Sequence, residues 1–230
     1  MGHELETIAI ERGHAIKLIV DQDNMEDLNE YKLKGIDVAV EFSSPDAAFS
    51  NIIKCLVAEV PVVSGTTGWL KDYNKVAEMC LSNNTSFLHS SNFSIGVNIL
   101  FRLNKELAKL MDRYHSYHPK IEEIHHTKKL DAPSGTAIKL AEGISENHSV
   151  YEGWHSGEGD ERDEKSISIG SLREGEVIGI HSVSWESTID TIMLKHEGKN
   201  RKGLALGAIV AAEFIYSKKG IFTMDDVLGF

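Results

Sequence analysis

The densest run of chemically capable side chains is Glu122–Ala137, which reads EEIHHTKKLDAPSGTA. The chain sets 24 Lys and Arg against 35 Asp and Glu, a net charge of −11, yet His125, His126, Lys128 and Lys129 make a local basic cluster. An anionic small molecule needs such a cluster for binding. Histidine suits proton transfer near neutral pH. Lys129 can give a proton or hold a carboxylate or oxyanion, whereas Lys128 reads as a solvated side chain. Adjacent residues on a strand face opposite ways, so His125 and His126 are expected to do different jobs. Adjacent histidines rarely chelate one ion, and no Cys or third His stands at metal spacing, so no metal is expected.

Ser134-Gly135-Thr136 falls where a helix should open, just after Pro133. A helix start leaves backbone N–H groups unpaired, and its dipole favours an anion there. Gly135 lets a ligand approach the backbone, and the two hydroxyls add donors. A carboxylate or phosphate seat is the functional reading; an ordinary cap by Asp131 or Ser134 is the structural alternative.

Elements must carry these groups. In the first half, short apolar runs at Ile16–Val20, Ile36–Phe42, Pro61–Ser64 and Ser86–His89 alternate with helical patterns, including one over Leu70–Leu81. Ser43 or Ser44 would cap the helix that opens at Pro45. Strands without polar alternation, separated by helices, predict a parallel sheet covered on both faces, a Rossmann-like doubly wound α/β domain. In such sheets ligands sit outside the carboxyl ends of the strands. Gly65-Thr66-Thr67-Gly68 and Ser90-Ser91-Asn92-Phe93 hold that place after two successive runs.

The second half differs. A long amphipathic helix over Gly96–Met111 precedes a strand at Lys120–His126, a helix at Ser134–Ser145 and three strands at Ser166–Ile169, Val177–Trp185 and Thr188–His196. Period-2 alternation predicts a mostly antiparallel sheet in an α+β substrate and oligomerisation domain. An apolar helix over Gly203–Tyr216 follows. The boundaries expected are 1–94 with 204–230 for a dinucleotide domain and 95–203 for the second. The Gly-rich, charged stretch Glu152–Lys165 reads as an exposed loop or flap.

A dinucleotide fold opens with a strand, then G-x-G-x-x-G, then a helix. Here Gly2–Glu11 already reads as that helix, with Gly2 as the last glycine, so the expectation is a fingerprint cut short, without its first strand and Gly-rich loop. Asp21, ending the next run, takes the place of a ribose-binding acid.

Composition narrows the class further. With 230 residues, 41% hydrophobic and 26% charged, the chain is globular, one or two domains. The acidic balance argues against nucleic-acid or anionic-membrane binding. The 2 cysteines, Cys55 and Cys80, cannot make a disulfide framework and read as buried thiols. No run reaches the ~18 apolar residues of a membrane span, and no signal peptide is legible, so a cytoplasmic location is the default.

The stretch Glu123–Ala137 resembles the motif of the 4-hydroxy-tetrahydrodipicolinate reductase (dihydrodipicolinate reductase) family: Glu-Ile-His-His, then Lys129, then Asp131-Ala132-Pro133-Ser134-Gly135-Thr136-Ala137. GTTGW at Gly65–Trp69, SSNFSIGVN at Ser90–Asn98 and FTMDDVLG at Phe222–Gly229 match other family segments, so the resemblance runs from Gly2 to the end. It implies reduction of a cyclic imine dicarboxylate by NADH or NADPH in the diaminopimelate route to lysine, by a homotetramer. It further implies Lys129 as the proton donor with His125 as donor and acceptor. His126, Ser134, Gly135 and Thr136 would bind substrate. Gly2, Asp21, Gly65, Thr66, Thr67, Ser90, Ser91, Asn92 and Phe93 would hold the cofactor. Asp21 followed by Gln22, with no Arg or Lys next, favours NADH at least as much as NADPH, since a carboxylate repels a 2′-phosphate. The competing expectation is a remnant that has lost its glycine loop and binds a dicarboxylate without catalysis.

Overall fold

The computed structural model describes residues 1–157, 165–200 and 202–230. The chain divides into two compact units, Met1–Ile95 with Lys202–Phe230 and Gly96–Arg201.

In the first unit, helix α1 spans Gly2–Glu11 and a single turn, α2, spans Glu30–Leu33. Strand β1 (Ala39–Glu41), helix α3 (Pro45–Val57), strand β2 (Val62–Ser64), helix α4 (Tyr73–Ser82) and strand β3 (Ser86–His89) then alternate as the sequence predicts. Pro45 sits in the first turn of α3, where its missing N–H costs nothing, and Ser44 is the cap residue. Successive residues of the short strands feed opposite layers. Val62 and Phe87 pack with Ile52, Leu56 and Val76 from α3 and α4. Val63 and Leu88 pack with Leu5 and Ile8 from α1 and Ala208 and Ile215 from the last long helix. Apolar side chains on both faces are why these strands lack polar alternation. All pairings are parallel, in the order β1-β2-β3-β9.

One expected strand is not formed. Ile16–Val20 runs as irregular chain, with Ile16 and Ile19 exposed. Backbone groups of a strand need a ladder partner, and none of the described strands pairs with this run.

In the second unit, helix α5 covers Ile95–Met111, strand β4 His118–His125, helix α6 Gly135–Ser145 and strand β5 Gly153–Ser156. Strands β6 (Ser166–Arg173), β7 (Gly179–Glu186) and β8 (Thr191–Gly198) complete a five-stranded sheet in the order β5-β6-β4-β7-β8. The α/β class holds, but this sheet is mixed. β4 pairs antiparallel with β7, and β7 with β8, whereas β5–β6 and β6–β4 are parallel. The path from β4 through α6 to β5 and β6 is a crossover, which parallel neighbours require. Of the expected loop at 152–165, residues Gly153–Ser156 are therefore strand; residues 158–164 lie outside the described residues. Ile121, Ile167, Ile169, Val183 and Trp185 from the sheet share a core with Leu100 of α5 and Leu140 and Ile144 of α6.

Helix α7 (Lys202–Ile215), strand β9 (Gly220–Phe222) and helix α8 (Met224–Leu228) return to the first unit. Thr223 and Asp226 form a reciprocal capping box on α8. In α7, a Cβ on Gly207 would stand 1.7 Å from the Phe93 carbonyl oxygen. Glycine is what allows that helix to lie against the Ser90–Phe93 loop.

Candidate active site

Strand register assembles the second unit's polar cluster. Period-2 alternation turns Ile121, Glu123 and His125 of β4 to the buried side. Glu123 is paired in register with Ser171 of β6 on one side and His181 of β7 on the other. His181 in turn is paired with His196 of β8, and His125 with Arg173 of β6.

Glu123 is fully buried. Its carboxylate accepts the Ser134 N–H at 3.1 Å, the Ser171 hydroxyl at 2.9 Å and an Nη2 hydrogen of Arg173 at 3.3 Å. Burial pushes its pKa up, but the Ser134 and Ser171 bonds, with His125 nearby, outweigh this and leave it below the usual value. His125 Nδ1 lies 3.4 Å from Glu123 Oε2, and the His125 and His181 rings meet edge to face at 4.9 Å. Burial pushes His125 below its ordinary value. Burial, together with the charge of His125, takes His181 down to about 4. Both imidazoles are therefore neutral at neutral pH. Neither Nδ1 has a hydrogen-bond partner among the described residues.

Ser134 is the cap of α6: its Oγ accepts the Ala137 N–H at 3.3 Å and meets His181 Nε2 at 3.2 Å. Gly135 is exposed, and a Cβ there would touch nothing within 4 Å, so the helix opening presents open space at that residue. Lys129 is partly buried, and its amine donates to both Asp131 oxygens at 2.8 Å. That bond, helped by Arg173, holds the Asp131 pKa down. His126, just past the strand, is half-buried.

The residues that sequence reasoning singled out, His125, Lys129 and Ser134–Thr136, lie in one unit, and Glu123 and Arg173 link His125, the Lys129 loop and Ser134. That reasoning missed Glu123, Ser171, Arg173 and His181. No third histidine stands at metal spacing in the sequence, but β7 brings His181 beside His125 from 56 positions along the chain (181 − 125). Glu123, His125 and His181 place ligand-type atoms within 4.8 Å of one another. The Glu123 carboxylate, however, already has an N–H, a hydroxyl and a guanidinium on it, and a guanidinium beside a carboxylate supplies the countercharge an ion would.

The first unit sets Gly65–Gly68 and Ser90–Phe93 at the carboxyl ends of β2 and β3, beside the end of β1. Glu41, nearly buried, accepts the Ser64 hydroxyl at 2.7 Å, the Thr66 hydroxyl at 2.9 Å and the Ser43 N–H at 3.0 Å. Gly65 donates its N–H to the Glu41 carbonyl, and Ser90 donates to the Ser64 carbonyl, so the two loops lie side by side. Thr66 and Ser90 are buried and hold the loops; Thr67 and Ser91 are exposed. The Phe93 ring is buried against Phe42 at 5.8 Å. Exposed hydroxyls and backbone at the ends of parallel strands fit the polar groups of a nucleotide. Gly2 opens α1 with open space around it, and Asp21 stands exposed in a turn, its Oδ1 accepting the Asp23 N–H at 2.8 Å.

A nucleotide-type parallel sheet in one unit and an acid–base cluster beside a helix opening in the other define a two-unit α/β oxidoreductase. The model described as dihydrodipicolinate reductase, N-terminus, matches residues 2–93, and the one described as dihydrodipicolinate reductase, C-terminus, matches 96–228. A 4-hydroxy-tetrahydrodipicolinate reductase of Christiangramia forsetii is 50% identical over 99% of this chain and 93% of its own length. One from Rickettsia rickettsii is 37% identical over 89% of this chain and 84% of its own. The dipicolinate-bound dihydrodipicolinate reductase from Paenisporosarcina sp. TG-14 superposes with a TM-score of 0.75 at 23% identity, covering 96% of this chain and 92% of that one. The chain belongs to the dihydrodipicolinate reductase family, and its cofactor is a pyridine nucleotide. Matches of this extent favour the reductase over the non-catalytic remnant. No described helix is long and apolar enough to cross a membrane.

Proposed function

We propose that the chain reduces 4-hydroxy-tetrahydrodipicolinate to tetrahydrodipicolinate at the Lys129–His125 centre, in the diaminopimelate route to lysine. The observation that carries this is the buried Glu123 carboxylate, which has the His125 imidazole and the open start of α6 on it and is joined through Arg173 to the loop that bears the Lys129 amine. Replacing a ring hydroxyl by hydrogen consumes a hydride and a proton and releases water. The pyridine nucleotide supplies the hydride when bound. Lys129 supplies the proton as general acid, while burial keeps His125 uncharged. His125, beside it in the motif, passes protons to and from that centre. Gly135, Thr136 and Ser134 at the start of α6 hold one substrate carboxylate through N–H and hydroxyl donors and the helix dipole, and His126 binds the substrate as well.

Residues 1–94 and 204–230 hold the nucleotide, and 95–203 serve substrate binding and assembly. Thr67, Ser91 and Asn92 offer polar contacts to the nucleotide, Gly65, Thr66, Ser90 and Phe93 shape the two loops, and Gly2 and Asp21 stand at the opening of α1 and the ribose position. The reading includes a cytoplasmic homotetramer. Strand β8 supports the assembly: it is an eight-residue sheet edge carrying exposed Met193 and Ile192, and edges of that kind invite pairing. Light scattering checks the mass.

The test is loss of NADH or NADPH absorbance with enzymatically prepared substrate. Lys129→Met should lower kcat by about 10²–10⁴-fold, the range of a lost general acid, and His125→Ala should also lower kcat. Full activity in both variants removes the assigned roles.

A further inference from the structure

The proton-donor reading accounts for Lys129 and the helix opening but leaves unexplained why a buried carboxylate and a partly buried guanidinium are joined between them. Arg173 does more than meet Glu123. Its Nε donates to the Lys129 carbonyl at 3.3 Å, and its Nη2 donates to the Asp131 carbonyl at 2.6 Å. The same Nη2 reaches Glu123 at 3.3 Å, and Glu123 in turn holds the Ser134 N–H. One short chain of bonds therefore runs from the loop bearing Lys129 to Ser134, the cap of α6. We propose that Glu123 and Arg173 are a positioning pair, which fixes the Lys129–Asp131 backbone relative to the start of α6 so that proton donor and carboxylate seat meet the substrate in register. The proposal rests on the reading of Lys129 and Ser134–Thr136 given above.

Charge supports the pairing. A lone anion beneath the start of α6 would spend the dipole that the substrate carboxylate needs. Arg173 neutralises it, while His125 and His181 on the flanks stay uncharged. Geometry supports Arg over Lys at 173: a guanidinium reaches two carbonyls and a carboxylate with fixed directions, and an ammonium on a flexible stem does not. Neither side chain is placed to touch the reacting atoms; Glu123 is wholly buried. Both act through other residues.

The experiment measures kcat, KM for 4-hydroxy-tetrahydrodipicolinate, KM for the nucleotide and the affinity for dipicolinate by calorimetry. The enzymes are the wild type, Glu123→Gln, Arg173→Lys, the double variant and Lys129→Met. Glu123→Gln and Arg173→Lys should each raise substrate KM and dipicolinate Kd about tenfold and lower kcat about tenfold, with nucleotide KM within twofold of wild type. The double variant should lose little more than either single one, as members of one network do. A merely structural role would lower the active fraction without moving substrate KM apart from nucleotide KM, and that result overturns the proposal. So do additive losses in the double variant, or an Arg173→Lys enzyme with wild-type constants. If Glu123→Gln fails to fold, Arg173→Lys at an unchanged melting temperature carries the same test. Lys129→Met separates the two levels. If it is inactive while the pair variants are normal, the pair alone is wrong; if it is fully active, the proton-donor reading has failed first.

Discussion

Acidification should unload the second unit's sheet through one histidine. His181 is 5% exposed, and its pKa falls from 6.5 to about 4. Burial is the largest cause; His125, His196 and Lys129 add to it, and Glu123 opposes it. The folded state therefore binds this proton less readily than the unfolded chain, where an ordinary histidine titrates near 6.5. Above that pH neither state holds the proton and nothing is lost. As pH falls from about 6.5 towards 4, protonation favours the unfolded chain, and below about 4 both states carry the proton. The drop from 6.5 to about 4, at about 1.36 kcal/mol per pH unit, amounts to about 3 kcal/mol. His125 and His196, also depressed by burial, push in the same direction. The assay is urea unfolding of wild type and His181→Gln at several pH values between 7 and 4. The variant starts from a different stability at pH 7, but it should lose about 3 kcal/mol less on the way down, having no imidazole to charge. Parallel curves for the two proteins would refute the reasoning, because the acid sensitivity would then reside elsewhere.

Gly207→Ala should destabilise the first unit by about 3 kcal/mol, the upper end for over-packing, since its Cβ would meet the Phe93 carbonyl oxygen at 1.7 Å. Thermal melting reads that loss, and nucleotide KM should rise with it because Phe93 closes the Ser90–Phe93 loop. Gly203→Ala on the same helix, where a Cβ meets nothing within 4 Å, is the control and should be neutral or slightly stabilising. For cofactor choice, kcat/KM with NADH should equal or exceed that with NADPH, and Asp21→Ser should shift the ratio towards NADPH by relieving repulsion of the 2′-phosphate. A strong NADPH preference in the wild type sinks that assignment.

Local pattern carried much of the architecture. The α3, α5, α6 and α7 helices follow from apolar periodicity and from Pro45 and Ser134 at their starts, and SFLH is strand β3 to the residue. Three kinds of information were not local. Ile16–Val20 has strand composition, but a strand exists only when a neighbour pairs with it. Strand β9 is three residues long and owes its state to β3, whose paired residues lie 134 positions earlier in register (220 − 86). The parallel half of the second sheet depends on where β5 and β6 return, which alternation along each strand does not encode. The same holds for the site. His125, Lys129 and Ser134 stand in one stretch and were legible there. Glu123 became a hub only once register set Ser171 and His181 beside it.

Glu41 and Glu123 make the same physical point in the two units. Each is a buried carboxylate on or at the end of a strand, and each accepts hydrogen bonds from the loop that carries the binding groups: Ser43 and Thr66 in one case, Ser134 in the other. Hydrogen bonds to a charged acceptor contribute about 1.5–3 kcal/mol each, more than neutral ones. An uncompensated buried charge costs several kcal/mol, so the arrangement is stable only with every donor in place. That asymmetry ties loop shape to fold stability. A loop that strays leaves a naked carboxylate behind it, and the chain is driven back to the conformation in which the loop's outward-facing groups are set. Glu41 reaches this with donors that are hydroxyls and an N–H, among Ser43, Ser64 and Thr66. Glu123 adds Arg173, because its position beneath the start of α6 would otherwise leave a negative charge where an anionic ligand must come.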